Sequence, residues 1–393
     1  MQRLAVFMDG TWNDAEDKTN VWQLSQLVAP RGADGAVQRS KYITGVGTNW
    51  RERITGGAVG RGLSNNVIEA YTWLAQHYDW DSPQPDQIYL FGFSRGAYTA
   101  RSVAGLIATC GLTRPGAPFD VNWLYERYRE RKNRARPIWQ LEYARDVLKE
   151  KLGDDEAKLL DHSKRIDIHM IGVWDTVGAL GIPWTGMPLI GKQAFYFHNP
   201  NLSAIHKHAF QALAIDEHRG AYKPTLWTVF VPEAKPGEVE GVPKMPDELR
   251  CEQRWFAGAH ANVGGGYRND SLPQEPLAWL QQKATGLGLA FTQTVTVDST
   301  ALTAKARDSY AEFMWGAYRL VKFGVRYYRP IGIDRNRVKG GWSYPVNEWI
   351  DGSVFERCRR DSEYAGKNLR EWQVRRGGPA LEAFVGAQRA RGA

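Results

Sequence analysis

The junction between an apolar segment and the pentapeptide 92–96 (Gly-Phe-Ser-Arg-Gly) constrains the fold more than any other feature of this chain. Residues 87–91 form a short apolar run typical of a buried strand, and a helical pattern follows from about residue 97 to 110. A serine on the sharp turn between such a strand and helix points outward, and small flanking residues avoid a steric clash. The junction therefore predicts an α/β fold with Ser94 as a nucleophile whose Oγ is lifted above the edge of the sheet.

Further strand-like and helical segments alternate along the chain. The apolar patterns predict strands at 3–8, 41–47, 166–174, 225–231 and 254–257, and a helix at 66–78. Residues 209–215 fit either a strand or a helix, and the glycine-rich segment 56–62 is predicted to be a flexible loop. Together these patterns indicate an α/β-hydrolase-like, mostly parallel sheet with helices on both faces.

The chain is predicted to contain one catalytic domain with two additions. Residues 1–285 form the α/β-hydrolase domain, and the charged, helical segment 118–160 is an insertion outside the sheet. With the apolar loop 181–191, this insertion is a candidate lid over an acyl-binding site. Residues 286–393 form a basic and aromatic C-terminal extension, packed on or beside the domain. Its segment 318–329 is a candidate contact with an anionic lipid interface.

A serine hydroxyl is a poor nucleophile at neutral pH and needs a neighbouring base. Among the eight histidines, His260 follows the late strand 254–257 and precedes the glycine run 264–266, where an imidazole can approach closely. We therefore predict that His260 is the base.

The acid of the predicted triad has two candidates, because hydrolases of this class place serine, acid and histidine in that chain order. Asp216 ends the segment before the histidine strand, which is the common position of the acid. Asp175 ends the segment 166–174, one strand earlier, and is the alternative. We predict Asp216, and we expect the other aspartate to orient a loop through backbone N–H groups.

Backbone N–H groups near Ser94 are expected to bind the negative oxygen of a tetrahedral intermediate. The N–H of Arg95 opens the helix that follows the nucleophile, and the N–H of Gly10 or Thr11 follows the first strand. Each such donor contributes on the order of 3 kcal/mol to transition-state stabilisation.

Five motifs occur in order within residues 1–285. They are FMDGTWN (7–13), GFSRGA (92–97), GVWDTVG (172–178), AIDEHR (214–219) and FAGAHANVGGGY (256–267). Together they resemble the DUF2235 family, which includes the catalytic domain of the type VI secretion lipase effectors called Tle1. The resemblance implies a serine hydrolase that cleaves phospholipid esters in an antibacterial role. It places the nucleophile on Ser94 and the base on His260. Asn262 stands where the family pattern has an aspartate.

The resemblance also implies partners and a route of delivery. A chain without an appended delivery domain would travel as cargo of a secretion-spike carrier, and an immunity protein would neutralise it. We expect cytoplasmic synthesis without a signal peptide, followed by type VI delivery to the periplasm or membrane of a target cell. The alternatives are a housekeeping carboxylesterase and an inactive hydrolase-fold binding protein.

Composition narrows the classes of ligand. A net charge of +8 with 16 Trp and 17 Tyr suits either nucleic acid or an anionic membrane surface. The loop 56–62 lacks the ending of a P-loop, and no nucleic-acid-binding motif occurs, so we expect peripheral membrane contact and no nucleic acid. No run of 18 apolar residues could span a bilayer. Three cysteines are too few for a disulfide framework or a zinc site, and we expect no cofactor or metal.

Overall fold

The computed structural model describes residues 1–46, 56–130, 135–177, 205–312, 325–361, 364 and 366–375. Its strands are, in chain order, β1 Arg3–Met8, β2 Gln38–Ile43, β3 Gln87–Phe93, β4 Leu112–Thr113, β5 Ser163–Lys164, β6 Ile168–Trp174, β7 His206–Ala214, β8 Thr228–Pro232, β9 Cys251–Phe256, β10 Asn336–Val338, β11 Gly341–Pro345 and β12 Glu348–Ile350.

The α-helices of the described residues lie between and after these strands. They are α1 Asn20–Leu27, α2 Gly56–His77, α3 Arg95–Cys110, α4 Val121–Glu130, α5 Ile138–Asp146, α6 Asp154–His162, α7 His260–Gly264, α8 Gln274–Gly286, α9 Ser309–Glu312, α10 Gly352–Arg360 and α11 Lys367–Arg375. None of them is both long and apolar enough to cross a bilayer.

The central sheet has seven strands in the order β12-β9-β7-β6-β3-β1-β2. Every neighbouring pair in it is parallel. After β1 the chain forms β2 on one side and then crosses to β3 on the other, which makes a topological switch point beside β1. Ligands of open α/β sheets bind in the crevice at the carboxyl ends of the strands at such a point.

Both faces of this sheet are covered by helices. Along β1, Leu4, Val6 and Met8 point into a cluster that contains residues of α2 to α6. Ala5 and Phe7 point into a second cluster that contains residues of α1 and α8. All five side chains are fully buried, so β1 is apolar on both faces, as a central parallel strand must be. The predicted α/β fold is confirmed.

One local prediction is wrong, and another, which left strand and helix open, is resolved by the structure. The glycine-rich segment 56–62 is not a loop, because α2 begins at Gly56. Tertiary packing of the later part of this helix, where Val67, Tyr71 and Leu74 are buried, outweighs the low helix propensity of its glycines. The ambiguous segment 209–215 is largely the strand β7, which has parallel partners on both sides.

The described residues of the segment 118–160 contribute no strand to the central sheet. Its described contacts reach the C-terminal half of α3, where the Cys110 Sγ lies 3.6 Å from the carbonyl oxygen of Leu124. The Tyr128 ring lies against Gly105 in the same half of that helix. A role of this segment as a lid stays a prediction. The other proposed lid element, 181–191, lies outside the described residues.

The described part of the C-terminal region contributes one strand to the central sheet. Its strand β12 pairs in parallel with β9, with Glu348 opposite Gln253, and so forms one edge of the central sheet. Its strands β10 and β11 form a separate antiparallel sheet with β8. Residues 318–324 of the predicted lipid-contacting segment lie outside the described residues.

Candidate active site

Ser94 occupies the sharp turn between β3 and α3. Its φ of 56° and ψ of −117° are unusual for a residue other than glycine. A Cβ atom on Gly92 would lie 2.5 Å from the carbonyl oxygen of Gly96, and one on Gly96 would lie 2.1 Å from that of Met8. Only glycine fits at both positions, because the turn presses against itself and against β1. This arrangement is the geometry of a nucleophile elbow.

Three side chains form a continuous hydrogen-bonded chain at the carboxyl edge of the sheet. The Nε2 of His260 lies 2.7 Å from the Oγ of Ser94. Its Nδ1 lies 2.5 Å from the Oδ2 of Asp175. Each residue directly or closely follows a parallel strand, namely β3, β9 and β6. Ser94 and His260 keep only 6% of their surface exposed and Asp175 none, so the chain is almost free of bulk water.

The position of each proton follows from the charge of Asp175. Burial alone raises the pKa of this carboxyl, but the positive charge of Arg329 and the hydrogen bond with His260 outweigh burial and hold the pKa below its usual value. An ionised carboxylate can only accept, so the His260 Nδ1 carries the proton and donates it. The free Nε2 then accepts the hydrogen bond from the Ser94 hydroxyl. This tautomer can remove the serine proton.

Asp216, the predicted acid, does not contact the imidazole. Its Oδ2 accepts hydrogen bonds from the Gly258 N–H and from the Tyr364 hydroxyl, each at 2.7 Å. Asp175 follows the end of β6 directly, whereas Ile215 separates Asp216 from the end of β7, which gives the two carboxylates different positions at the sheet edge. The structure therefore brings the alternative candidate to His260, and Asp216 instead holds the loop that leads to His260.

The surroundings of His260 favour its neutral form. Its ring lies between those of Phe93 and Tyr222, with centroid distances of 4.7 and 5.1 Å. Burial lowers the pKa of His260 below its usual value, although Asp175 opposes this effect. The Glu217 carboxylate accepts the His260 backbone N–H at 3.3 Å and is itself paired with Arg219 at 2.7 Å.

Comparison with known proteins identifies the family of this chain. Residues 2–283 match the family described as the type VI secretion system Tle1-like phospholipase effector, catalytic domain. The chain belongs to this family.

Individual relatives of this Tle1-like chain are distant. An uncharacterised protein of Saccharomyces cerevisiae is 26% identical over 215 residues, which are 55% of this chain and 27% of that one. A crystal structure of an uncharacterised Pseudomonas aeruginosa protein gives a TM-score of 0.43 at 14% identity, over 81% of this chain and 51% of that one. A Tle1 effector bound to the VgrG spike gives 0.33 at 17% identity, over 68% and 51%. The Tle1-like chain thus spans about half the length of these solved structures.

The predicted oxyanion donors lie close to Ser94 but differ in availability. Gly10 approaches the nucleophile so closely that a Cβ atom on it would lie 3.3 Å from the Cβ of Ser94. Its N–H, however, donates to the Oδ1 of Asp9 at 2.7 Å. Within the described residues, the backbone N–H groups of Thr11 and Arg95 donate no hydrogen bond. These two groups therefore fit the role better than Gly10.

Asp9 holds in place the loop that carries Gly10 and Thr11. Its buried carboxylate also accepts hydrogen bonds from the Thr19 hydroxyl at 2.6 Å and from the Tyr42 hydroxyl at 2.7 Å. Burial raises the pKa of Asp9 to about 6, because these hydrogen bonds only partly offset the loss of solvation.

The Arg95 side chain places a cation over the ring of Trp12. Its guanidinium lies 5.2 Å from the ring centroid of Trp12, and Trp12 directly follows Thr11. Among the described residues, it has no hydrogen-bond or ion-pair partner. Burial lowers the pKa of Arg95 to about 10, which still leaves it charged at neutral pH.

Sequence reasoning missed Arg329. This fully buried guanidinium forms an ion pair with Asp175, with Nη1–Oδ1 and Nη2–Oδ2 distances of 2.5 and 2.9 Å. Arginines are frequent in the C-terminal region, and nothing in their spacing distinguishes this one. Only contact in the folded chain identifies it. No group of three or more histidine, cysteine or acidic side chains that could hold a metal ion occurs among the described residues.

Proposed function

We propose that this chain is a serine esterase of the phospholipase type, which cleaves carboxylic ester bonds of lipids. One observation carries the proposal, namely the continuous hydrogen-bonded chain from Ser94 through His260 to Asp175 at the switch point of a parallel sheet. Membership of the Tle1-like phospholipase effector family supports the same class of reaction.

The proposed reaction proceeds in two halves. The Ser94 Oγ attacks the acyl carbonyl carbon while the Nε2 of His260 takes its proton, and the carbonyl oxygen becomes an oxyanion. The N–H groups of Arg95 and Thr11 stabilise this oxyanion. When the tetrahedral intermediate collapses, His260 returns the proton to the leaving alcohol. Water then hydrolyses the acyl-enzyme by the same sequence, and Asp175 remains a carboxylate throughout.

The cation beside the nucleophile favours a lipid that carries a phosphate. An arginine without a counter-charge loses solvation without recovering it from a partner, so an anionic ligand group would stabilise it. The backbone of Arg95 follows Ser94 directly, and its side chain lies over Trp12, of which 45% is exposed. A phosphodiester on the glycerol next to the cleaved ester would lie within a few bonds of the reacting carbonyl.

An antibacterial role by type VI delivery is the biological part of the proposal. Family membership supports it, and a Tle1 effector has been solved in complex with a VgrG spike. By analogy, a secretion-spike carrier would deliver this chain to the periplasm or membrane of a target cell, and the producing cell would hold an immunity protein. Expression of the chain with and without a periplasmic export signal tests this role, because toxicity should require export and Ser94.

The chemical proposal is tested with purified wild type, Ser94→Ala and Ser102→Ala. Ser102 lies in the same helix α3, and its hydroxyl donates to the Tyr98 carbonyl, so it is a matched control serine. We expect wild type and Ser102→Ala to hydrolyse short-chain p-nitrophenyl esters and phospholipid vesicles, and Ser94→Ala to hydrolyse neither.

Each other result of these assays would support a different function. Equal activity of Ser94→Ala and wild type would overturn the nucleophile assignment. Ester cleavage without phospholipid cleavage would leave a general carboxylesterase. Inactivity of the folded wild type on both substrates would leave a hydrolase fold that only binds a partner.

A further inference from the structure

We infer that Arg329 is a positioning residue for the catalytic site, which acts by fixing the carboxylate of Asp175 and compensating its charge. The inference rests on the proposed function and extends it beyond the family match, which ends at residue 283. It makes the C-terminal region a functional part of the hydrolase.

The contacts of Arg329 bind three separate parts of the site together. Besides the two-pronged contact with Asp175, its Nη1 donates to the carbonyl oxygen of Ala214 at 2.8 Å and its Nη2 to that of Tyr222 at 2.6 Å. Ala214 ends β7, and Tyr222 packs its ring on His260. Asp175 Oδ1 also accepts the Ala214 N–H at 3.1 Å. One guanidinium therefore contacts the carboxylate of Asp175, the end of the neighbouring strand β7 and the residue whose ring packs on His260.

The two-pronged contact determines which way the carboxylate faces. Oδ2 of Asp175 is shared between Arg329 and the Nδ1 of His260, so the guanidinium plane sets the direction of the oxygen that orients the imidazole. A planar, two-pronged contact of this kind gives geometric specificity that a single ammonium group cannot give. Because both side chains are fully buried, bulk water cannot take the place of Arg329 as a hydrogen-bond donor to the carboxylate.

The charge of Arg329 acts on the basicity of the site. A carboxylate paired with a cation attracts a proton on the neighbouring imidazole less strongly than an unpaired one. Arg329 therefore helps to keep His260 neutral, which is the form that can take the serine proton. Among the described residues, the other charged groups that act on His260 are Glu217 and Arg219, which are paired with each other and stay unchanged in the variants below.

The first experiment compares Arg329→Met, Arg329→Lys and the control Arg337→Met in the full chain. Arg337 is an exposed arginine of the same region, paired with Glu233 at 2.7 Å. For Arg329→Met we expect kcat at the pH plateau to fall about 10-fold to 100-fold, the range known for removal of the hydrogen-bonding partner behind a metal-ligating side chain. In the pH profile of its kcat/KM, the midpoint of the acidic limb should rise by about one pH unit. Arg337→Met should match wild type.

Arg329→Lys separates charge from geometry. We expect its acidic limb to stay at the wild-type position while kcat falls, because the cation remains and the two-pronged contact is lost. Circular dichroism and thermal melting verify the fold of each variant, and if Arg329→Met does not fold, Arg329→Lys alone decides. A wild-type kcat in folded Arg329→Lys, or an unmoved acidic limb in folded Arg329→Met, would overturn the inference.

A double-mutant cycle with Asp175→Asn tests whether Arg329 acts through the acid. If it does, adding Arg329→Met to Asp175→Asn should cost little further activity, because the group that Arg329 positions is already lost. Multiplicative losses in folded proteins would show an independent, structural role. Failure of the proposed function is distinguishable, since it would appear first as a wild type that is inactive or no more active than Ser94→Ala.

Discussion

Asp175 and His260 contact each other over 2.5 Å between Oδ2 and Nδ1, in a place that is almost closed to bulk water. Asp175 and Ser94 also share a backbone feature, since their φ angles of 42° and 56° are positive. Strained backbone of this kind occurs at functional sites, where the surrounding fold enforces it. In a site with little water, the charge of the imidazole depends mainly on its protein neighbours.

Replacing each aspartate in turn should show which of the two is the acid that acts on His260. In Asp175→Asn the amide can donate to Nδ1 and stabilise the wrong tautomer, so kcat should fall by about 10⁴. Asp216→Asn keeps the imidazole partner and should cost far less, because Asp216 only accepts from Gly258 and Tyr364. Steady-state hydrolysis of p-nitrophenyl esters measures both. A larger loss in Asp216→Asn than in Asp175→Asn would contradict the assignment.

The pH dependence of activity follows from the lowered pKa of His260. The base works only when neutral, and burial holds its pKa below the ordinary value of 6.5. The acidic limb of kcat/KM should therefore have its midpoint below 6.5, with full activity above it. Incubation at each pH followed by assay at pH 8 separates titration from unfolding. A midpoint at or above 6.5 for reversibly active enzyme would refute this expectation.

Asp9 should make stability depend on pH in the opposite sense to a paired carboxylate. Burial raises its pKa from 3.8 to about 6, so its contribution is fully present below pH 3.8 and is lost as the pH rises through 6. Between pH 4 and 7, wild type should lose about 2 kcal/mol of unfolding free energy relative to Asp9→Asn. Urea denaturation of both proteins at the two pH values measures this difference. If the unfolding free energies of wild type and Asp9→Asn changed equally with pH, the pKa of Asp9 would not be raised.

Gly96→Ala should damage the elbow in spite of the better helix propensity of alanine. Propensity alone favours alanine by about 1 kcal/mol. The new Cβ would lie 2.1 Å from the Met8 carbonyl oxygen, which forces α3 away from β1. We expect the free energy of unfolding to fall by about 2 kcal/mol or more in total, and most of the activity to be lost as well. Gly153→Ala, where no atom lies within 4 Å of the added Cβ, is the control in urea denaturation.

Arg95→Met should change substrate preference. If its guanidinium binds the phosphate of a lipid, kcat/KM for monomeric dihexanoyl phosphatidylcholine should fall about 10-fold to 100-fold, as expected for loss of a charged hydrogen bond. The value for dihexanoylglycerol, which lacks the phosphate, should change little. Arg114→Met, which removes another arginine over a tryptophan ring, is the control. Equal losses on both substrates would argue against phosphate recognition.

Local sequence determined the elements that depend on neighbouring residues. The elbow around Ser94 was predictable because a sharp strand-to-helix turn requires glycine at fixed distances from the serine. His260 was predictable as a residue after a late strand beside flexible glycines, and the structure places it on Ser94. The parallel sheet with two covered faces followed from alternating apolar strands and helices. Each of these inferences uses a few consecutive residues.

Only the tertiary structure decided which acid reaches the imidazole and what holds that acid. Asp175 and Asp216 both follow strands, and their distances from His260 depend on strand order and on where each strand ends. Arg329 meets Asp175 across 154 positions of the chain, and β12 joins β9 from beyond the family match. Such contacts have no local signal, because the free energy that selects them comes from burying and pairing groups that are far apart in sequence.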